Sequence, residues 1–132
     1  MPTDTPPPAF PLRDLIGFDI QMGEGSATAT LDVTEMHINP HGSLHGAVPF
    51  TMIDTAMGAA TMSVVPEGHF CSTLDITTRY LAPCRSGRIT CVATVRRAGR
   101  RIAHLDAVVT TEDGTEIVAA TGTFVIYPAP TA

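Results

Sequence analysis

One long apolar segment, residues 46–65 (GAVPFTMIDTAMGAATMSVV), constrains the fold more than any other part of this chain. It is rich in Ala and Met, and Asp54 is its only charged residue. Pro49 stands early enough to be tolerated in a first helical turn, so the segment predicts one long helix that is buried on most sides. A membrane span of similar length is the competing interpretation, but Pro49, Asp54, Gly58 and several hydroxyl residues interrupt it.

Segments on both sides of this helix alternate apolar and polar residues with the period of a half-buried strand. Strands are predicted at 17–22, 26–34, 73–81, 88–96, 102–111 and 116–127, after a short helical turn at 12–16. In the strand at 73–81, Leu74, Ile76, Thr78 and Tyr80 share one face. An Asp-Gly dipeptide between the last two strands predicts a hairpin.

The order of these elements predicts an α+β fold in which a curved antiparallel sheet of five to six strands wraps around one long central helix. A single small sheet covers only one side of a helix that is apolar nearly all round. A second chain is therefore needed to complete the covering, and we expect an obligate oligomer.

The length of 132 residues suits one domain, which we place at 12–128. Residues 1–11 contain five prolines and are expected to form a disordered tail. Residues 129–132 are expected to be a flexible C-terminus.

Charge and cysteine content narrow the function classes and the compartment. A net charge of -5, with no Trp and 5% aromatic residues, disfavours nucleic-acid binding. The three cysteines are odd in number and lack CxxC spacing, which fits reduced thiols in a cytoplasmic protein. The N-terminus lacks the basic start and apolar run of a signal peptide, so no export is expected.

Asp54 is the first candidate for chemistry. An ionised, unpaired carboxylate inside an apolar element costs several kcal/mol, so Asp54 must face a polar pocket, find hydrogen-bond donors or hold a proton. A helix Asp that bonds a nearby backbone or side-chain group is the ordinary explanation. The apolar surroundings favour a functional role instead.

The loop before the helix, HINPHGSLHG at 37–46, delivers the chain to a helix N-terminus, where free N–H groups favour developing negative charge. Gly46 is placed to offer such an N–H, although glycines also serve loop geometry alone. His37, His41 and His45 recur every fourth residue and would form a metal site on a helix, but Pro40 and Gly42 argue against that helix, so no metal is expected.

Two other patterns carry weaker signals. Ser43, His45 and Asp54 are the residue types of a hydrolytic triad, but the chain has no GxSxG elbow. A basic run at a predicted turn indicates either a site for a phosphate-bearing ligand or a solvated hairpin tip. The run consists of Arg96, Arg97, Arg100 and Arg101.

The motif NPHGSLHGA at 39–47, followed by Asp54-Thr55-Ala56, closely resembles the signature of PaaI-like acyl-CoA thioesterases of the hot-dog superfamily. The resemblance extends through GFDIQMGEGSATATLDV, TLDITTRYLAP, RRAGRRIA and DGTEIVAATGTFVIYP. It implies the hot-dog fold and hydrolysis of acyl-CoA without a cofactor. It also implies a homodimer that assembles to a homotetramer, with each site shared between two chains.

The resemblance also implies residue roles. Asp54 matches the helix carboxylate that attacks the thioester or activates water, and Gly46 matches the helix-start residue whose N–H polarises the carbonyl. Asn39 matches a residue that orients thioester and water, His45 one that lines the pocket, and Thr73 one that assists the water. Ala47 departs from the family pattern, in which a second glycine is common. A non-catalytic acyl-CoA or acyl-carrier binding protein, and a hydratase on this fold, remain as alternatives.

Overall fold

The computed structural model describes residues 8–131, so residues 1–7 of the predicted tail and Ala132 lie outside the described residues. The first part of the chain forms α1 (Pro11–Ile16), β1 (Asp19–Gly23), β2 (Ser26–Val33), a 3-10 helix (Glu35–His37) and α2 (Ala47–Met62). Four strands follow: β3 (His69–Tyr80), β4 (Gly87–Ala98), β5 (Ile102–Thr111) and β6 (Glu116–Pro128).

The predicted long helix is confirmed, and its ends are set by local hydrogen bonding. Gly46 is the N-cap, and the helix ends at Met62, three residues before the predicted end. Ser63 explains that end, because its hydroxyl donates to Ala60 O (2.7 Å) and accepts the amide of Gly25 (2.8 Å). Helical geometry is also disfavoured just before Pro66.

All six predicted strands are present, in one antiparallel sheet of order β1-β2-β4-β5-β6-β3. Helix α2 contacts every strand of that sheet. Six strands span about 24 Å, more than twice the width of a helix, so the sheet must curve for all of them to reach it. The expected curved sheet around a central helix is therefore confirmed.

The core lies between the concave face of the sheet and α2, where Met52, Ile53, Ala56, Met57 and Ala60 have no exposed surface. The opposite stripe of the helix is only partly covered. That stripe consists of Phe50, Thr51, Asp54, Thr55 and Gly58. The central carboxylate thus lies on the one side of α2 that its own sheet leaves open.

Between residues 8 and 131, no helix has both the length and the apolar character needed to cross a bilayer. Cys71, Cys84 and Cys91 are free thiols, as their spacing indicated.

Candidate active site

Asp54 and Thr73 form the central contact of the site. The Thr73 hydroxyl donates a hydrogen bond of 2.6 Å to Asp54 Oδ1. Asp54 is half-buried, and no group within residues 8–131 donates to its Oδ2. The carboxylate is therefore held in one orientation with one oxygen left to act on a ligand.

A β-bulge directs Thr73 toward the helix. Strict alternation places Thr73 on the opposite face of β3 from Ile76. The register shifts between Thr73 and Asp75, which leaves Leu74 without a partner and resets the alternation. Thr73 and Ile76 consequently both face α2. The prediction that Leu74 shares a face with Ile76 is therefore wrong, because the bulge interrupts the alternation at Leu74.

Cys71 is a third side chain beside this carboxylate. Its Sγ lies 3.7 Å from Gly58 O on α2. Burial, and secondly the negative charge of Asp54, raise the pKa of the Cys71 thiol. The thiol is thus a neutral neighbour of the carboxylate. Sequence patterns alone did not single it out.

Asn39 stiffens the loop that precedes α2. Its Oδ1 accepts the main-chain amides of His41 (2.9 Å) and Ser43 (3.2 Å), and its main-chain N–H donates to Ser43 O (2.8 Å). An isolated bridge between Ile38 and Leu44 closes the loop. The side-chain oxygen of Asn39 is therefore used within the loop, whereas its side-chain nitrogen Nδ2 makes only a long contact of 3.4 Å to Ser43 Oγ.

His45 satisfies two amides at the start of α2. Its Nδ1 accepts the amide of Ala47 (3.0 Å), and its carbonyl accepts that of Val48 (3.0 Å). Because Nδ1 accepts this bond, the ring hydrogen is assigned to Nε2, which makes no hydrogen bond within residues 8–131. The amide of Gly46 has no acceptor in the part of the chain that the structure describes. This helix start therefore presents one open N–H donor, at Gly46.

Tyr80 contacts the same glycine from β3. Its hydroxyl donates to Gly46 O at 2.7 Å. Tyr80 and Gly46 border a cavity of about 410 Å³, lined largely by apolar side chains such as Leu44, Leu81 and Val118. Tyr80 was predicted only as a strand residue, because no local pattern links residues 34 positions apart.

The predicted catalytic residues therefore form two groups within one chain. Asp54, at the middle of α2, and Thr73, beside it on β3, form one group, whereas Asn39, His45 and Gly46 lie at the start of the helix. Eight residues of helix place Asp54 about 12 Å along the axis from Gly46. One chain does not bring the carboxylate and the open amide to the same thioester.

The four arginines lie around the β4–β5 turn. Arg96 pairs with Asp106 at 3.3 Å on the outer face of the sheet. The other three arginines border a surface depression of about 460 Å³: Arg97, Arg100 and Arg101. Across the sheet Ala103 pairs with Phe124 and Phe124 pairs with Thr73, so the turn lies at the same end of the sheet as Thr73.

The two weaker alternatives find no support in the geometry. Both ring nitrogens of His37 are engaged, Nδ1 with Thr34 N (2.9 Å) and Nε2 with Ile16 O (2.7 Å). Within residues 8–131, no three His, Cys, Asp or Glu side chains are arranged to hold a metal ion. Ser43, His45 and Asp54 make their hydrogen bonds to other partners, without a triad.

Residues 41–118, more than half of the chain, match the family model of the Thioesterase superfamily. The acyl-coenzyme A thioesterase PaaI of Escherichia coli is 34% identical over 93 residues, 69% of this chain and 64% of that protein. A 1,4-dihydroxy-2-naphthoyl-CoA hydrolase of Listeria monocytogenes is 28% identical over 67% of this chain and 73% of its own length. Two further relatives, from Haemophilus influenzae and Pasteurella multocida, are matched over 64% and 57% of their lengths. The chain thus spans about three fifths of the length of several curated relatives.

Solved structures agree over more of the chain. A thioesterase from Haemophilus influenzae superposes with a TM-score of 0.85 at 28% identity, covering 91% of this chain and 85% of that one. The Escherichia coli PaaI protein superposes with a TM-score of 0.84 at 26% identity, covering 93% and 88%.

Proposed function

Because the chain belongs to the Thioesterase superfamily, we propose that it is an acyl-CoA thioesterase, which hydrolyses an aryl-acyl or short- to medium-chain acyl-CoA to the free acid and CoA. The observation that carries the proposal is the Asp54 carboxylate, held by Thr73 on the open stripe of an otherwise apolar helix. Burying part of a carboxylate costs free energy that a Leu or Ala at this position would not cost. A structural role therefore does not explain why residue 54 is an aspartate.

The proposed reaction uses two groups of the protein, the Gly46 N–H and the Asp54 carboxylate. The thioester carbonyl oxygen accepts a hydrogen bond from Gly46 N–H, which stabilises the negative charge that develops there. Asp54 Oδ2 either takes a proton from the attacking water and passes it to the departing sulfur, or attacks the carbonyl carbon to form an anhydride that water then hydrolyses. By either route the C–S bond breaks and CoA leaves as its thiol. Thr73 keeps Oδ1 occupied, so the carboxylate presents a single oxygen.

Asn39 and His45 have supporting roles in this proposal. His45 offers its Nε2–H beside the Gly46 amide, where it donates to the thioester or to the developing oxyanion. Asn39 holds the loop in shape through its side-chain oxygen and orients thioester and water through its remaining amide hydrogens. Both roles depend on a loop that is already rigid before substrate binds.

The separation of the two groups supports a site shared between two chains. Asp54 and Gly46 lie about 12 Å apart along one helix, too far to act on one carbonyl group. The open stripe of α2 and the apolar side chains exposed on edge strand β3 both favour a second copy. Phe70, Leu74 and Tyr80 on β3, and Leu81 directly after it, are each about half exposed. We therefore propose a homodimer, assembling further to a homotetramer, in which Gly46 of one chain faces Asp54 of its partner.

The β4–β5 turn provides the proposed contact for the phosphates of CoA. Arg97, Arg100 and Arg101 border one depression at the end of the sheet that also carries Thr73. Guanidinium groups suit phosphate oxygens, since they donate in pairs. Arg96 contributes less in this proposal, because Asp106 already pairs with it.

Thiol release from benzoyl-, phenylacetyl-, hexanoyl- and octanoyl-CoA tests the activity. Asp54→Asn should lower kcat on the best substrate about 100-fold or more. Asp75→Asn, which changes an exposed carboxylate on the outer face of β3, should leave kcat unchanged. If the wild type binds acyl-CoA tightly but releases no thiol, the protein is a binding protein and not an enzyme. If Asp54→Asn turns over as fast as the wild type, the carboxylate has no part in the mechanism.

Mixing subunits tests the shared site. Gly46→Pro removes the amide hydrogen at a φ of -59°, which proline can adopt, and its Cβ also pushes on the Tyr80 ring, so it disables the helix start of its own chain. Asp54→Asn and Gly46→Pro homodimers should each be inactive, whereas a mixed dimer contains one site with both groups intact. Recovery of activity on mixing is expected, and its absence with folded mixed dimers would place the site within one chain.

A further inference from the structure

Tyr80 makes two contacts with Gly46. The hydroxyl donates to Gly46 O at 2.7 Å, and the ring lies against the Gly46 Cα. The same carbonyl also accepts the amide of Phe50 at a longer distance of 3.3 Å. The N-cap residue Gly46 has no side chain to cap this end of α2, and the His45 ring, which accepts the Ala47 amide, belongs to the same loop rather than to the sheet. Tyr80 is thus the side chain that fastens the helix start to the sheet.

Contact with Tyr80 explains why residue 46 is a glycine. Its φ of -59° and ψ of -27° are ordinary helical values that any residue adopts. A Cβ at this position would lie 3.1 Å from the ring Cζ and 3.2 Å from Cε1 and the hydroxyl oxygen of Tyr80. The glycine therefore permits the close approach of the tyrosine, and the approach sets the position of the open Gly46 amide.

Strand β3 holds both groups of the proposed site. Thr73 near its start orients the Asp54 carboxylate, and Tyr80 at its end fastens Gly46. The two contacts fix the middle and the start of α2 to the same strand. Burial raises the pKa of the Tyr80 phenol, so the hydroxyl remains a donor at neutral and mildly alkaline pH.

We propose that Tyr80 is a positioning residue for the Gly46 amide: its hydroxyl and ring hold the helix start where the Gly46 N–H meets the thioester oxygen. The inference rests on the proposed function of that amide. Tyr80 itself touches no reacting atom in this arrangement. Its contribution acts in the transition state, because an open donor helps most when it is already aimed at the developing charge.

Tyr80→Phe is the direct test, because it keeps the ring and removes only the hydroxyl. We expect kcat to fall about three- to tenfold while KM stays within twofold, since alignment of the amide matters more for the transition state than for substrate binding. Tm should change little, because Phe50 still satisfies the Gly46 carbonyl.

Tyr127→Phe is the matched control. Tyr127 is the other tyrosine of the chain, and its hydroxyl bonds Ser72 Oγ at 2.9 Å, away from Gly46. Its loss should leave kcat and KM at the wild-type values. Amide hydrogen exchange supplies a readout without substrate: the Phe50 amide should exchange faster in Tyr80→Phe and at the wild-type rate in Tyr127→Phe.

A double variant tests whether Tyr80 acts through Gly46. Gly46→Ala keeps the main-chain N–H and should push the ring back by a few tenths of an ångström, which lengthens and weakens the hydroxyl contact. If Tyr80 acts through Gly46, Tyr80→Phe should lower kcat by a smaller factor in the Gly46→Ala background than in the wild type. Independent, multiplying losses would overturn the coupling.

The outcomes separate this inference from the proposed function. Wild-type kcat and Phe50 exchange in Tyr80→Phe, in a protein that hydrolyses acyl-CoA through Asp54, would overturn the positioning role alone. A wild type without thioesterase activity would overturn the proposed function. In that case, a Phe50 amide that exchanges at the wild-type rate in Tyr80→Phe would also contradict the claim that Tyr80 holds the start of α2 in position.

Discussion

The Thr73 hydroxyl and the Asp54 carboxylate, 19 residues apart in the chain, are joined by a 2.6 Å hydrogen bond between β3 and α2. A bulge at Leu74 makes this contact possible, because an unbroken strand with Ile76 facing the helix would direct Thr73 to the other face. The orientation of the candidate base is thus decided by one irregularity in the neighbouring strand.

Removal of the Thr73 hydroxyl should slow the reaction. Thr73→Val keeps the shape and leaves Asp54 free to rotate, so we expect kcat to fall about tenfold, the cost of losing one charge-assisted hydrogen bond. Thr73→Ser should retain most of the activity. Thr78→Val is the control on the same strand, since the Thr78 hydroxyl is buried without a partner among residues 8–131. Full activity of Thr73→Val would contradict the orienting role.

The Cys71 thiol reports the charge of Asp54 without any substrate. The Asp54 carboxylate raises the pKa of Cys71, after the larger effect of burial. Asp54→Asn should therefore lower that pKa, measured as an earlier rise of the alkylation rate of Cys71 with pH. Asp75→Asn should not change it, because Asp75 lies on the outer face of β3. An unchanged profile in Asp54→Asn would mean that the carboxylate does not face the thiol.

Arginines at the β4–β5 turn should affect only substrates that carry phosphate. Arg100→Ala or Arg101→Ala should raise KM for acyl-CoA about fivefold, and added salt should reduce the difference by screening. An acyl-N-acetylcysteamine thioester, which has no phosphate, should show no change. Arg88→Ala is the control, because Arg88 pairs with Asp32 at the opposite end of β4. Equal effects on both substrates would refute phosphate recognition.

Alkaline pH should destabilise the fold through Cys91. Burial raises the pKa of Cys91 from 9.0 to about 12, so the folded chain keeps a proton that the unfolded chain releases. The free energy of unfolding should consequently fall as pH rises from about 9 towards 12, by up to about 1.4 kcal/mol per pH unit. Urea denaturation of Cys91→Ala should show a flatter pH dependence.

Val109→Ala controls for the cavity in that experiment. Val109 pairs with Cys91 across the β4–β5 ladder and is equally buried, but it does not titrate. It should lower stability by a similar amount at every pH. Parallel pH profiles for wild type and Cys91→Ala would show that the thiol does not cause the alkaline loss.

Local patterns were sufficient for the architecture. The apolar segment around Asp54 predicted α2, and the strand-like segments from residue 26 onward predicted five of the six strands, because burial on one side imposes a period on the sequence. The first strand, predicted at 17–22 without such a pattern, is also present. The motif around Gly46 predicted the family, which the match over residues 41–118 confirms. The roles of the individual site residues are still proposals.

The sequence by itself determined the helix, the strands and the isolated carboxylate at Asp54, since each is set by neighbours a few positions away. Only the tertiary structure decided that Thr73 hydrogen-bonds that carboxylate, that Tyr80 hydrogen-bonds the Gly46 carbonyl and that Asp106 pairs with Arg96. These contacts depend on strand register, on a bulge and on the curvature of the sheet. Such features arise from packing between distant segments, so they leave no period or motif in the chain.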